Sequence, residues 1–301
     1  MADAQPSSRA VVIGGGGLTG VAWLTGMLAR FEAAGIPFAD ADLVVGTSAG
    51  SVVGTQLAAG RDFADLHHFL SAEHVRPRDM LLDLYAALPK PDPTVVAHLA
   101  EQWASSTAST ESSRAEEGAA AMRAKTMPEP IWVALVAMFL RTHHWPSPAL
   151  AITAVKALKG TLRVFRAADG VHVSRAVAAS SAVPQFFPPV DIEGDRYIDG
   201  GTRSVINADV AAGHDVVLVF VDHHAPPTGD GPLSQAEIDR EIAALREAGA
   251  EVVVVSPDEG SQEAMGKMEA LNPERIGPAA RAGFAQGAHE AARVAAAWPN
   301  R

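Results

Sequence analysis

The strongest constraint on the fold lies in how the first two apolar runs end: each stops at a cluster of glycines and re-emerges as a helix. Ala10 to Ile13 is a β-branched run closed by Gly14, Gly15, Gly16 and Gly17, which reads as a buried strand entering a tight turn. Leu18 to Ala34 has helical composition and stops at Gly35, a natural C-terminal cap. Asp42 to Val45 is a second buried strand, and the turn from Gly46 to Gly50 leads into a helix-like stretch, Ser51 to Ala59. Strand, helix, strand, helix predicts parallel strands joined by crossover helices. Asp215 to Val221 and Glu251 to Val255 suit further central parallel strands. Between them, Ser234 to Ala248 reads as a helix with Ser234 as N-cap and Glu237 three residues on. Pro278 to Trp298 is Ala-rich and helical. Two turn signals, Asp169-Gly170 between Thr161–Ala167 and Val171–Val173, and Glu193 to Asp195 between Val190–Ile192 and Arg196–Ile198, predict hairpins.

The middle of the chain differs. Ala104 to Pro130 contains no Leu, Ile, Val or Phe, which predicts a mobile insertion or a weakly packed helix. Ile131 to Leu140 is a strongly apolar helix-like segment, read first as a buried core helix. With 48% hydrophobic and 20% charged residues over 301 positions, a large core is available. The expectation is a single α/β domain spanning 1–301: a three-layer α/β/α fold with a largely parallel central sheet, core at 9–65 and 160–301, and a mostly helical cap over about 66–159.

Charge and composition exclude several functions. Asp and Glu total 35 against 24 Lys and Arg, a net charge of −11, which repels nucleic acid and opposes adsorption to strongly anionic membranes. The absence of cysteine removes disulfides, thiolate nucleophiles and Cys-based zinc sites. His67-His68 and His143-His144 are adjacent pairs, not pairs on one helix face, so no metal site and no cofactor is expected. The N-terminus carries no signal-peptide-like apolar core, and Ile131 to Leu140 is shorter than the ~20 residues a membrane span needs. A cytoplasmic protein is the resulting expectation.

Three elements carry chemistry. Gly46-Thr47-Ser48-Ala49-Gly50 has the Gly-x-Ser-x-Gly pattern between a strand and a helix, where a sharp turn can hold a serine hydroxyl clear of its neighbours. Gly14 to Gly17 lets backbone N–H groups approach a substrate, as acyl transfer requires for a developing oxyanion. The same glycines also fit a dinucleotide site, but that reading wants an acidic residue at the end of the next strand, which runs into Gly46 instead. Third, Tyr197-Ile198 delivers Asp199 to Gly200-Gly201; on its own, an aspartate before two glycines is as readily a turn former.

Together these motifs resemble the patatin-like phospholipase family: a Gly-rich loop after the first strand, Gly-x-Ser-x-Gly after the second, and Asp-Gly-Gly far downstream. Ala179-Ser-Ser-Ala-Val-Pro-Gln-Phe-Phe-Pro-Pro-Val190 is similar to the segment that precedes the family's aspartate strand. The resemblance covers roughly Ala10 to Asp62 and Thr161 to Val221. It implies a lipid-ester hydrolase of phospholipase A, lysophospholipase or esterase type, in which Ser48 is the nucleophile, Asp199 its base, and the N–H groups of Gly15, Gly16 and Gly17 the oxyanion hole. Transient contact with a membrane surface follows from such a substrate. Trp132, Leu135, Phe139 and Leu140 become candidates for an acyl-chain pocket. Where the family has Arg or Lys in the Gly-rich loop, this chain has Thr19, which favours a neutral ester, lysolipid or thioester and leaves a catalytically weak lipid binder as the alternative. A Ser-His-Asp arrangement using His214, His223 or His224 is the remaining rival.

Overall fold

The computed structural model describes residues 7–72, 109–221, 234–266 and 269–299. Five strands run parallel: β1 (Arg9–Ile13), β2 (Leu43–Thr47), β3 (Leu150–Lys156), β7 (Val216–Phe220) and β8 (Glu251–Val255), the last of them at the sheet edge and not central as expected. β4 (Leu162–Arg166), β5 (Val190–Ile192) and β6 (Asp195–Asp199) join antiparallel, giving the order β5-β6-β3-β2-β1-β7-β8 with β4 paired to β3. Side chains alternate between two faces, as strand geometry requires. Val11, Ile13, Val44, Leu218 and Phe220 enter one core, and Ala10, Val12, Val45, Val217 and Val219 the other. Both faces are therefore apolar, which is why the strands read as continuous hydrophobic runs.

The helices, in chain order, are α1 (Gly17–Ala33), α2 (Ala49–Ala58), α3 (Phe63–Ser71), α4 (Glu111–Arg123), α5 (Glu129–Leu140), α6 (Val173–Ser180), α7 (Gln235–Glu247), α8 (Glu259–Met265) and α9 (Ile276–Ala297). α1, α2, α3, α5, α6, α8 and α9 contribute to the first core, while Ile238, Ile242 and Leu245 of α7 cover the second. The expected three-layer architecture is present. α1 ends as its sequence predicts: Gly35, at φ +75°, donates to Glu32 O and Ile36 to Phe31 O, the paired bonds of a glycine-terminated helix. Ser234 caps α7 by accepting the Glu237 N–H.

Two expectations need correction. β3 lies inside the range assigned to the insertion, so the sheet resumes at Leu150 and not at 160. Its run, Leu-Ala-Ile-Thr-Ala-Val-Lys, is diluted with Ala and Thr, and a short apolar stretch of that kind does not separate strand from buried helix by period. Secondly, Asp169-Gly170 does not close a hairpin: β4 turns back on β3 instead, and Val171–Val173 leads into α6. The other predicted hairpin, β5–β6, forms through Glu193 (φ +55°) and Gly194 (φ +86°). Of the segment poor in large aliphatics, 111–123 is the helix α4. Gly118 marks its contact point, since a Cβ there would lie 1.8 Å from Ala157 O in the turn after β3. Residues 73–108 of the expected cap lie outside the described residues. Among the described residues no helix is long and apolar enough to cross a membrane.

Candidate active site

The unforeseen strand β3 brings the two predicted catalytic residues together. On one edge of β3, β2 pairs as far as Thr47↔Thr153, and β6 begins with Asp199↔Ala154. β4 occupies the opposite edge at Ala154 and Val155, so β2 and β6 share an edge and meet end to end. Ser48 follows one strand end and Asp199 closes the other. The Ser48 Oγ–H donates to Asp199 Oδ2 at 2.7 Å.

Ser48 is held in a sharp elbow, at φ 51° and ψ −119°, a conformation costly for any residue with a Cβ, on the order of 1–3 kcal/mol. The elbow is over-determined. Ser48 N–H donates to Ser180 Oγ (2.9 Å), Ser48 O accepts from Ser51 N–H (2.9 Å) and from Ser51 Oγ (2.6 Å), and Gly50 N–H donates to Gly14 O (2.9 Å). The motif glycines are there for close approach: a Cβ on Gly46 would sit 2.6 Å from Gly50 O, one on Gly50 2.0 Å from Ile13 O, and one on Gly15 3.1 Å from Ser48 Cβ. If the elbow stores strain, Ser48→Gly will be about 1–2 kcal/mol more stable than Ser48→Ala. Chemical denaturation of both variants measures this, and an Ala variant as stable as the Gly variant removes the strain.

Asp199 is 4% exposed. Its Oδ1 accepts the Gly201 N–H at 2.7 Å, its carbonyl accepts the Thr202 hydroxyl at 2.8 Å, and its own N–H donates to Ala182 O at 2.9 Å. Burial pushes the carboxyl up from 3.8 to about 7, against the smaller stabilising pull of the Gly201 N–H and the Ser48 hydroxyl on the carboxylate. Gly200 and Gly201 both face tight quarters: a Cβ on the first would be 2.6 Å from Thr153 Oγ1, and on the second 3.0 Å from Asp199 Oδ1.

In the Gly-rich loop, Gly15 N–H donates to Val205 O at 2.9 Å, so it is committed to holding the loop. Gly14 N–H is likewise committed, to Phe220 O at 3.0 Å. Among the described residues neither the Gly16 nor the Gly17 N–H meets a protein acceptor. Gly17, at φ +64°, lies under the Ala270 carbonyl, where a Cβ would come within 2.6 Å of the oxygen. Thr19 is buried and gives its N–H to the same carbonyl at 3.2 Å, so no cation stands at that place in the loop.

Other candidates fall away from the site. His214 precedes β7, at the N-terminal end of the parallel strands and about 17 Å from the end where Ser48 sits; its Nδ1 lies 3.0 Å from Ala211 O. His223 and His224 lie outside the described residues. His67 stacks on Phe284 with ring centroids 4.7 Å apart. His144 is exposed, and no group of three His, Asp or Glu side chains that could hold a metal occurs among the described residues. Of the acyl-pocket candidates, Trp132 and Leu140 are core residues. Trp132 stacks on Phe187 at 4.0 Å and donates to Ala178 O of α6. Leu135 and Phe139 are half-buried against the same core. Residues that sequence reasoning missed are Ser180, which touches the elbow, and Asn207, which touches Thr47 and Gly200. Ser180 lies in the recognised Pro-rich segment, whereas nothing in the local sequence around Asn207 marks it.

The sequence profile of the patatin-like phospholipase family matches residues 11–212, more than half of the chain. No curated protein sequence matches significantly. Among solved structures, VipD from Legionella pneumophila is similar, with a TM-score of 0.45 at 14% identity over 96% of this chain and 67% of VipD. The type III effector ExoU superposes with a TM-score of 0.40 at 15% identity over 96% of this chain, which spans only 53% of ExoU. A further ExoU structure, from Pseudomonas aeruginosa in complex with SpcU, has 19% identity and a TM-score of 0.34, covering 93% of this chain and 53% of that one. The profile match takes in the end of β1, the Gly-rich loop, the serine elbow and the Asp199 turn in one span, and the chain belongs to the patatin-like phospholipase family.

Proposed function

We propose that this chain is a serine acyl hydrolase of lipid esters, of phospholipase A, lysophospholipase or esterase type, working through Ser48 and Asp199. The observation that carries the proposal is the 2.7 Å bond from Ser48 Oγ to Asp199 Oδ2 at a strained elbow. Ionised Asp199 takes the hydroxyl proton through Oδ2 as Ser48 Oγ attacks the ester carbonyl. The C–O π electrons move to the carbonyl oxygen, and the N–H groups of Gly16 and Gly17, together with the N-terminus of α2, receive that charge. Collapse of the tetrahedral adduct expels the alcohol, which takes the proton from Asp199. Water then attacks the acyl carbonyl and loses a proton to Asp199; the Ser48 Oγ–acyl bond breaks, Asp199 returns that proton to Ser48 Oγ, and the fatty acid leaves. Gly15 has no part in the hole and instead braces it through Val205.

The uncharged Thr19 favours esters that bring no phosphate to the Gly-rich loop, such as neutral esters and thioesters. Lipid substrates imply contact with a membrane or micelle surface.

Hydrolysis of p-nitrophenyl esters across acyl lengths, with fluorophosphonate labelling, tests the proposal. Wild type is expected to turn over and to be labelled at Ser48; Ser48→Ala is expected to lose labelling and at least about 10³-fold in rate. A folded wild type that neither hydrolyses nor labels would sink the hydrolase reading and leave a lipid binder in its place.

A further inference from the structure

We infer that Asn207 is a positioning residue that sets the approach of Ser48 to Asp199 by bridging the ends of the two strands that carry them. The inference rests on the proposed reaction for its kinetic consequence, and on geometry for its cause.

Asn207 is fully buried and adopts a left-handed conformation, φ 48° and ψ 45°, which asparagine tolerates better than most residues. Its side-chain amide faces three acceptors: Ser204 O at 2.6 Å, Thr47 Oγ1 at 3.2 Å and Gly200 O at 3.3 Å. An amide nitrogen has two hydrogens. One serves Ser204, and the other is shared between Thr47 and Gly200. Thr47 is the residue before Ser48, and Gly200 the residue after Asp199. The carboxamide thus spans the joint where β2 and β6 meet on the edge of β3.

The joint is also tied to β3 itself. Thr47 Oγ1 lies 2.7 Å from Thr153 Oγ1, and Thr153 Oγ1 donates to Gly46 O at 3.4 Å. From the other side, Arg203 Nη1 donates to Asn207 Oδ1 at 2.8 Å, which fixes the carboxamide's orientation with its NH₂ toward the joint. Arg203 is held in turn by Asp209, at 2.9 and 2.7 Å. The loop that carries Asn207 has an anchor of its own, because Glu241 accepts the Ala208 N–H. Removing the carboxamide therefore removes the bridge without releasing the loop.

Neither strand end is hydrogen-bonded to the other through its backbone, since each pairs with β3. Their relative position depends on β3's register, on the segment 180–182, which accepts the Ser48 N–H at Ser180 Oγ and the Asp199 N–H at Ala182 O, and on this side-chain bridge, which acts directly on the two residues flanking the pair. Small displacements of reacting groups cost large factors in rate, so the bridge acts on turnover and not on substrate affinity.

Asn207→Gly is the main test because glycine accepts the left-handed backbone. Thr47→Val, which replaces the bridging hydroxyl by a methyl group, is the second. Asn207→Gly is expected to lower kcat on a soluble p-nitrophenyl ester by about 30- to 100-fold with KM within about twofold, and Thr47→Val to lower kcat by about 5- to 10-fold in the same manner. A ¹³C-carboxyl NMR titration, with the Asp199 signal identified by its loss in Asp199→Asn, gives a readout that needs no turnover. Water admitted at the loosened joint will bring the Asp199 midpoint down from about 7 toward the ordinary carboxylate range. Unchanged kcat together with an unmoved Asp199 titration in folded Asn207→Gly overturns the inference. If Asn207→Gly fails to fold, the same two readouts on Thr47→Val decide it. If wild type proves inactive, the hydrolase reading fails and the titration alone decides the bridge: a lowered midpoint supports it and an unmoved one overturns it.

Discussion

Asp199→Asn is expected to lower kcat/KM by about 10³-fold or more while making the protein more stable, by an amount that grows with pH. The loss of activity follows from chemistry: a carboxamide cannot take the Ser48 proton, and removal of a general base costs roughly 10²–10⁴ in rate. The gain in stability follows from burial. In the unfolded chain the carboxyl titrates near 3.8, whereas in the folded protein desolvation raises it to about 7. Between those values the folded state holds a proton that the unfolded state has released, so stability falls as pH rises through the window and stays low above it. The full interval corresponds to about 4 kcal/mol at most. Asparagine escapes this cost and keeps both contacts, with Oδ1 accepting from Gly201 and Nδ2 donating to Ser48 Oγ. Thermal or chemical denaturation at pH 8 is expected to show Asp199→Asn about 2–4 kcal/mol above wild type, shrinking toward zero near pH 4. The same titration predicts that wild-type kcat/KM falls about tenfold per pH unit below about 7. An Asp199→Asn variant no more stable than wild type at pH 8, and an acidic limb near pH 4, would mean that Asp199 is well solvated in the folded protein.

The parts of this molecule that the sequence declares are those whose signal is local. β1, β2 and β7 are buried on both faces and β8, at the sheet edge, partly so, and their apolar runs stand out. The serine elbow and the Asp-Gly-Gly turn are visible because close backbone approach admits only glycine at Gly46, Gly50 and Gly200. What stays hidden depends on pairing. β3 is a weak pattern by itself, yet it sets the register that places Asp199 beside Ser48. Gly15 belongs to a loop whose composition suits an oxyanion hole, and only the folded chain shows that Val205 has taken its N–H. Asn207 sits among turn-forming residues and gains its meaning from two strand ends distant in sequence. Trp132 and Leu140 illustrate the converse case: an apolar helix looks alike whether it lines a pocket or fills a core, and both side chains are buried in the core, Trp132 against Phe187 and the Ala178 carbonyl of α6.

Gly50→Ala is expected to destabilise the fold by roughly 4 kcal/mol or more, enough to prevent accumulation of folded protein at 37 °C. The reason is not backbone freedom, because Gly50 lies within α2 and is absent from the positions with positive φ. It is proximity. An added Cβ would fall 2.0 Å from Ile13 O, 2.5 Å from Ile13 C and 2.6 Å from Gly14 O. These are backbone atoms at the end of β1, where Ile13 is paired with Gly46 on one side and Phe220 on the other. No side chain can rotate away, so either α2 lifts off the sheet or the end of β1 moves. Either response also displaces the Gly-rich loop and breaks the Gly50 N–H bond to Gly14 O. Gly54, one turn further along α2, supplies the control. A Cβ there meets Val44 Cγ1 at 3.2 Å, a side-chain methyl that can give way, and alanine gains about 1 kcal/mol of helix propensity over glycine. Gly54→Ala is therefore expected within about 1 kcal/mol of wild type. Comparable stability of the two variants by chemical denaturation would show that the contact with Ile13 does not fix the approach of α2. A collapse confined to Gly50→Ala would establish the second glycine of the motif as the point where α2 is pressed against the strand that carries the Gly-rich loop.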